Sequence, residues 1–199
     1  MRARRFRLEV RCVPGLEVLV NSEMKALGIG KTEVPMPGIV RARGASLRQL
    51  CAANAFLRCA SRIMVPICSL SARTHAELAS VIRRVHNDQL LPFLSPDIPL
   101  NIRVTIARRH PELGLRHEAH TREQLHELLG RPATEGIQGS SNYHDSGTLL
   151  EVIVRGPRVS LLVDSTGGAP LHERGWRADR DVGKMPVKGS VAAGILMGA

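Results

Sequence analysis

The stretch Arg5-Phe6-Arg7-Leu8-Glu9-Val10-Arg11-Cys12 alternates charged and apolar side chains without a break. Successive side chains of a strand point to opposite faces, so this period-2 pattern predicts a half-buried strand with Phe6, Leu8, Val10 and Cys12 turned inward. Just downstream, Pro14 suits the first turn of a helix, where its missing N–H is no loss. Leu16, Leu19, Val20, Met24 and Leu27 then recur at helical spacing, and Gly28 supplies the stop. Residues 29–34 and 38–43 are expected as two short strands, with Pro35-Met36-Pro37 between them. Ser46 is placed to cap a helix over residues 47–57 that would bury Leu47, Leu50, Cys51, Ala55 and Phe56. Residues 63–70 complete the unit as a strand, with Pro66 expected to put it at an edge or a bulge.

The order β-α-β-β-α-β over residues 1–70 is the split, ferredoxin-like pattern of an α+β protein. A second α/β unit is expected over residues 71–165. It opens at Thr74-His75-Ala76-Glu77, a capping-box sequence, ahead of Leu78, Val81, Ile82 and Val85 at helical spacing. Pro92, Pro96 and Pro99 punctuate a loop, and Leu100, Ile102, Val104 and Ile106 then alternate as a strand. Residues 117–129 suit a polar helix ended by Gly130. Residues 148–154 and 159–164 suit a hairpin turning at Gly156-Pro157, with Arg155 and Arg158 at its tip. Residues 166–185 lack any period and are expected as a linker. Residues 186–199 resemble the first helix of a further domain whose remainder is absent, with nothing evident for that helix to pack on.

Of the 199 residues, 43% are apolar, so the chain can bury a core. The formal net charge is +10, and Lys25, Lys31, Lys184 and Lys188 are the only lysines among 28 basic residues. Arginine carries a fixed charge on a planar fork that grips phosphate oxygens in pairs. A polyanion is therefore the expected partner, and nucleic acid the first candidate. Rings make up only 3% of the chain: Phe6, Phe56, Phe93, Tyr143 and Trp176. That excludes a surface stacking base after base, and residues 38–43 hold no Phe or Tyr such as an RNA-recognition motif needs. Contacts to RNA would then go to phosphate and to shape.

Other chemistry is poorly supported. Cys12, Cys51, Cys59 and Cys68 form no C-x-x-C pair, which argues against a zinc ribbon and for reduced, mostly buried thiols. His110, His117, His120 and His126 lack a third ligand at metal spacing and fit a solvated helix face better. Gly28-Ile29-Gly30-Lys31-Thr32 fails the phosphate-loop spacing, because the required first glycine falls at Lys25. His144, Asp145 and Ser146 are adjacent in sequence, which is not triad geometry. The basic clusters Arg41/Arg43, Arg83/Arg84, Arg103/Arg108/Arg109, Arg155/Arg158 and Arg174/Arg177/Arg180 carry more weight, since arginines two apart on a strand project from one face.

Residues 159–167, Val-Ser-Leu-Leu-Val-Asp-Ser-Thr-Gly, are followed by Leu171-His172-Glu173-Arg174-Gly175-Trp176-Arg177 and Met185-Pro186-Val187-Lys188. Together they resemble THUMP-domain class I RNA methyltransferases. In that family a strand ends in Asp-x-Ser-Gly, Leu-His-x-Arg-Gly-Tyr-Arg follows, and Ala-Pro-Leu-Lys-Glu opens a Rossmann-type catalytic domain. Pro14-Gly15-Leu16-Glu17, Ala60-Ser61-Arg62 and Arg73-Thr74 are similar to the starts of the family's ferredoxin-like and THUMP units. The sequence departs from the pattern in the longer spacing from Asp164 to Leu171, in Trp176 for Tyr and in Gly189 for Glu. The glycine-rich methyl-donor loop and Asn-Pro-Pro-Tyr do not occur, so no residue is expected to be catalytic or to hold a metal.

The resemblance implies an RNA-binding module that positions structured rRNA or tRNA for methylation of a base, commonly guanine N2. S-adenosylmethionine would be the donor of the full-length family rather than a ligand of this chain. Expected RNA contacts are Arg155, Arg158, Arg174, Arg177, Arg108, Arg109, Arg73 and Lys188. A methyltransferase domain or an assembly partner would meet the C-terminal helix. The alternative is a non-catalytic RNA-binding scaffold or ribosome-assembly factor derived from such an enzyme, and a fragment or truncated gene is equally compatible. No long apolar run predicts a membrane span. The expected compartment is the cytoplasm, with mitochondria as the alternative because of the basic start.

Overall fold

A computed structural model describes residues 5–85, 94, 98–106, 118–129, 147–167, 170–171 and 187–198. The chain divides into two compact units, Met1–Val65 with Ala169–Ala199, and Pro66–Gly168.

The first unit holds strands β1 (Phe6–Cys12), β2 (Thr32–Met36) and β3 (Ile39–Ala45), and the first half of β4 (Ala60–Ser71). They lie in the order β2-β3-β1-β4, each pair antiparallel. Helices α1 (Glu17–Ala26) and α2 (Leu47–Phe56) complete the ferredoxin-like βαββαβ pattern expected from the sequence. Phe6, Leu8, Val10 and Cys12 are buried, as their alternation requires, and so are Val40, Ala42 and Ile63 opposite them. Val20 and Met24 of α1 and Leu50 and Ala53 of α2 complete this core. Each large side chain so buried contributes about 1.5–3 kcal/mol.

Several local expectations give way to packing. α2 buries Leu50, Ala53 and, just beyond its end, Leu57, while Leu47, Cys51, Ala55 and Phe56 stay exposed. Apolar residues surround this helix, so composition did not reveal which face meets the sheet. β2 extends through Pro35 to Met36, a tolerable place for proline because β2 is an edge strand, and the register shifts between Glu33 and Met36. The turn that follows is Pro37-Gly38. There Gly38 has φ +79° and donates its N–H to Glu17, while its carbonyl accepts from the Cys12 N–H at 2.9 Å. β4 is longer than expected and runs through Pro66. Pairing with β1 ends at Met64, so the missing N–H falls where that ladder has already stopped.

The C-terminal helix α5 (Gly189–Gly198) belongs to the first unit and packs on α1, a partner that the sequence does not suggest. Gly194 comes so close to Leu16 that a Cβ there would sit 2.7 Å from its Cδ2. Met197 Sδ lies 3.7 Å from Cys59 Sγ.

The second unit contains α3 (His75–Val85), β5 (Leu100–Ile106), α4 (Glu118–Leu128), β6 (Thr148–Arg155) and β7 (Arg158–Asp164), in strand order β4-β7-β6-β5. β5 and β6 are parallel, and β6 and β7 form the expected antiparallel hairpin. Leu100, Ile102 and Val104 pack with Leu150, Val152, Val154, Val159, Leu161 and Val163 beneath Leu78 and Ile82 of α3 and Leu125 of α4.

Candidate nucleic-acid interface

The hairpin tip is the best-defined cationic feature of the second unit. Arg155 and Arg158 are cross-strand partners on either side of Gly156-Pro157, and both are exposed. Gly156 has φ +59°, a conformation glycine adopts without strain, which lets the chain reverse this tightly. The Pro157 carbonyl accepts the Ala72 N–H at 2.8 Å. That bond ties the tip to the chain immediately before Arg73, which is also exposed. Arg73, distant in sequence, is therefore brought to the same end of the unit as Arg155 and Arg158.

The start of α3 adjoins them. Thr74 Oγ1 accepts the Glu77 N–H at 3.2 Å, the expected half of the capping box. The Glu77 carboxylate reaches one residue further back than expected and accepts the Arg73 N–H at 2.7 Å. It thus anchors the backbone of Arg73. Arginines directly opposed across two strands repel one another, and an anionic ligand relieves that repulsion while matching the planar forks in pairs.

The remaining expected contacts behave differently. Lys188 is exposed, belongs to the first unit and starts α5, where its carbonyl accepts the Val191 and Ala192 N–H groups at 2.9 and 3.0 Å. Arg108, Arg109, Arg174 and Arg177 lie outside the described residues. Arg103 is the register partner of the buried Glu151 on β6.

Other sequence motifs resolve into structural roles. The N–H groups of Gly28 and Ile29 bond the Lys25 and Met24 carbonyls, closing α1 rather than cradling phosphate. Asp164, buried at the end of β7, accepts from the Thr166 N–H at 2.8 Å and from its hydroxyl, shaping the Asp-Ser-Thr-Gly exit. His120 is exposed beside Gln124 whereas His126 is buried, so the two do not converge. Among the described residues no cluster of metal-binding side chains occurs.

The thiols are more varied than expected: Cys12 and Cys59 are buried, Cys68 is half-buried and Cys51 is exposed. Burial pushes the Cys12 thiol up to about 11, with Glu17 and Cys59 adding to the effect, and burial alone does the same to Cys68. Sequence reasoning missed Glu23, a buried carboxylate on the helical face otherwise assigned to apolar residues. Its only signal was its position, three residues after Val20 on the face that also holds Met24.

Residues 7–64 match the family model of the RlmL ferredoxin-like domain. This segment is similar to the RlmL ferredoxin-like domain. Over 184 residues, 92% of the chain, the sequence is 28% identical to the Bacillus subtilis protein named "Putative RNA methyltransferase YpsC", and the match covers 45% of that protein. The chain thus spans about half the length of the curated relative it matches. The fold recurs in a Listeria monocytogenes protein described as a predicted N6-adenine-specific DNA methylase, with TM-score 0.69, 24% identity and 98% of this chain covered against 48% of that one. It recurs in TrmN from Thermus thermophilus, with TM-score 0.59, 24% identity and coverage of 85% and 48%. A third solved relative, SMU.472, was complexed with SAH and aligns with TM-score 0.66 at 21% identity, covering 98% of this chain and 49% of that one. The resemblance to RNA methyltransferases read from the sequence is borne out by these matches, and the match to the RlmL ferredoxin-like model lies in its N-terminal part.

Proposed function

We propose that this chain is the RNA-binding part of an RNA methyltransferase, with a THUMP-type second unit that holds structured rRNA or tRNA while a catalytic domain methylates a base. The observation that carries this reading is the match to an RNA methyltransferase along nearly the whole chain, joined to the arginine-bearing tip of the second unit. Arg73, Arg155 and Arg158 would grip backbone phosphates through paired N–H bonds, fixing register and leaving base choice to the catalytic part. Arg108, Arg109, Arg174, Arg177 and Lys188 would extend that grip. Guanine N2 is the acceptor expected from the resemblance, and S-adenosylmethionine would be the donor of the complete enzyme. The sequence holds neither a glycine-rich donor loop nor Asn-Pro-Pro-Tyr, so none of its residues is assigned to the donor and no methyl-transfer step is routed through them. Among the described residues no helix is long and apolar enough to cross a membrane. The proposed compartment is the cytoplasm, where rRNA and tRNA are found.

Filter binding of a labelled RNA stem-loop across a salt series tests the reading. The logarithm of affinity should fall steeply with the logarithm of salt, and R155Q/R158Q should lower that slope by about 2, one unit for each phosphate no longer gripped. A flat slope for the parent protein refutes it.

A further inference from the structure

Arginine forks hold RNA and DNA alike, because both polymers carry the same backbone phosphates. What separates the two at a given point is the ribose 2′-hydroxyl, which both donates and accepts. Beside the hairpin tip, the second unit presents groups with that same capacity. Val154, Val159, Leu161 and, after β4, Ala72 belong to the core under α3 and α4. Alternation along the strands therefore turns Arg155, Arg158 and Ser160 to the other face, and with them Ser69 and Ser71 of β4. Ser69 and Ser71 are exposed, and Ser160 is partly so.

The Ser160 hydroxyl donates to that of Ser69 at 3.4 Å, in the open, where β4 lies beside β7. Ser160 is the cross-strand partner of Ile153, and Ile153 is the partner of Thr105 on β5. One row of side chains thus runs Ser69, Ser160, Ile153, Thr105 across four strands, and Thr105 is exposed as well. Arg158 stands two residues from Ser160 on the same face, roughly 6–7 Å along β7, with Arg155 opposite it. The contact between the serines is long for a hydroxyl pair, whose usual separation is about 2.7–2.8 Å. It therefore gives the sheet little and leaves both oxygens able to turn to a ligand. No side chain of the row carries a ring, and none is longer than isoleucine. Such a shallow surface suits the wide minor groove of A-form RNA, where the ribose hydroxyls are displayed, rather than a stack of single-stranded bases. The two arginines border it on the tip side, where a flanking phosphate ridge would lie.

We propose that Ser69 and Ser160 bind ribose hydroxyls next to the phosphates held by Arg155 and Arg158, so that this unit selects duplex RNA over DNA. The proposal rests on the RNA-binding reading above and adds the feature by which the tip tells the two polymers apart. The probes are a labelled RNA stem-loop, the DNA stem-loop of the same sequence, and the RNA with every ribose hydroxyl methylated, each titrated with the whole chain in a salt series. The parent should bind the RNA about ten-fold more tightly than either of the others, as two neutral hydrogen bonds allow. S69A/S160A should lose that preference with its salt slope unchanged, since no charge is removed. S69T/S160T, which keeps the hydroxyls on side chains that suit a strand, should retain it. R155Q/R158Q should lower the slope for RNA and DNA alike and leave the preference in place. Equal affinity of the parent for RNA and DNA, or a preference that survives in S69A/S160A, overturns this proposal, and a lowered slope in R155Q/R158Q then leaves the hairpin-tip reading standing. Methylated RNA bound as tightly as RNA overturns it in favour of helix shape alone, and tighter binding of DNA overturns it in favour of a DNA substrate. A flat slope in the parent overturns this proposal and the RNA-binding reading together.

Discussion

Replacing Glu23 by alanine should destabilise the ferredoxin-like unit more than its modest size suggests. The Glu23 carboxylate, 8% exposed on α1, accepts the Arg58 N–H at 3.1 and 3.3 Å and the Cys59 N–H at 3.1 Å, and it meets Arg58 Nε at 3.4 Å. It therefore holds the chain between the end of α2 and the start of β4. Cys59 is fully buried, so no water can replace the missing acceptor, and an orphaned N–H there costs about 1–3 kcal/mol. The Arg58 N–H is partly buried and adds about 1 kcal/mol. The ion pair with the largely exposed Arg58 side chain contributes only a few tenths of a kcal/mol. Relief of the buried charge offsets part of the total, which leaves about 2–4 kcal/mol for Glu23→Ala. Glu23→Gln keeps one acceptor and should cost about half as much. For a chain of this size, 2–4 kcal/mol lowers Tm by roughly 5–15 °C. Urea denaturation followed by circular dichroism at constant pH measures the difference directly. An E23A midpoint within about 0.5 kcal/mol of the parent, no further displaced than that of E33A at the exposed Arg43 pair, would rule out this role for the carboxylate.

Three further outcomes follow from particular residues. N–H bonds from Gly38 foremost, and from Gly15, hold the Glu17 carboxyl below its ordinary value of 4.5. Because the folded pKa is depressed, this stabilisation is complete above pH 4.5 and fades as pH falls below it. Glu17→Gln should therefore flatten the acid limb of the stability–pH curve, and an unchanged limb would contradict that assignment. Gly147→Ala should lower stability to urea by about 1–3 kcal/mol, because a Cβ there would lie 2.7 Å from the Pro99 carbonyl oxygen, which also accepts the Thr148 N–H that starts β6 beside β5. In alkylation followed by mass spectrometry, exposed Cys51 should be labelled first. Cys12 and Cys59 should wait for unfolding, since burial both shields them and raises their thiol pKa. Early labelling of Cys12 would count against the packing described for β1.

Much of the architecture was legible because it depends on local periodicity. The alternation of residues 5–12, the helical spacing from Leu16 and the Gly156-Pro157 hairpin each specify an element through backbone geometry alone. Burial of α2 was not legible, because apolar residues surround that helix and only the sheet beneath it selects Leu50, Ala53 and Leu57. The candidate site divides in the same way. Arg155 and Arg158 could be assigned to a tip from the turn sequence, whereas the bond between Ala72 and Pro157 that brings Arg73 to them spans most of the second unit.

The order of elements, the excess of arginine and the resemblance to RNA methyltransferases could all be read from the chain of letters, since composition, period and motif survive without knowledge of contacts. Folding in three dimensions was needed to show which arginines oppose one another across strands, which carboxylates neutralise them and which helix α5 rests on. Register and packing join residues dozens of positions apart, and no local pattern records those distances.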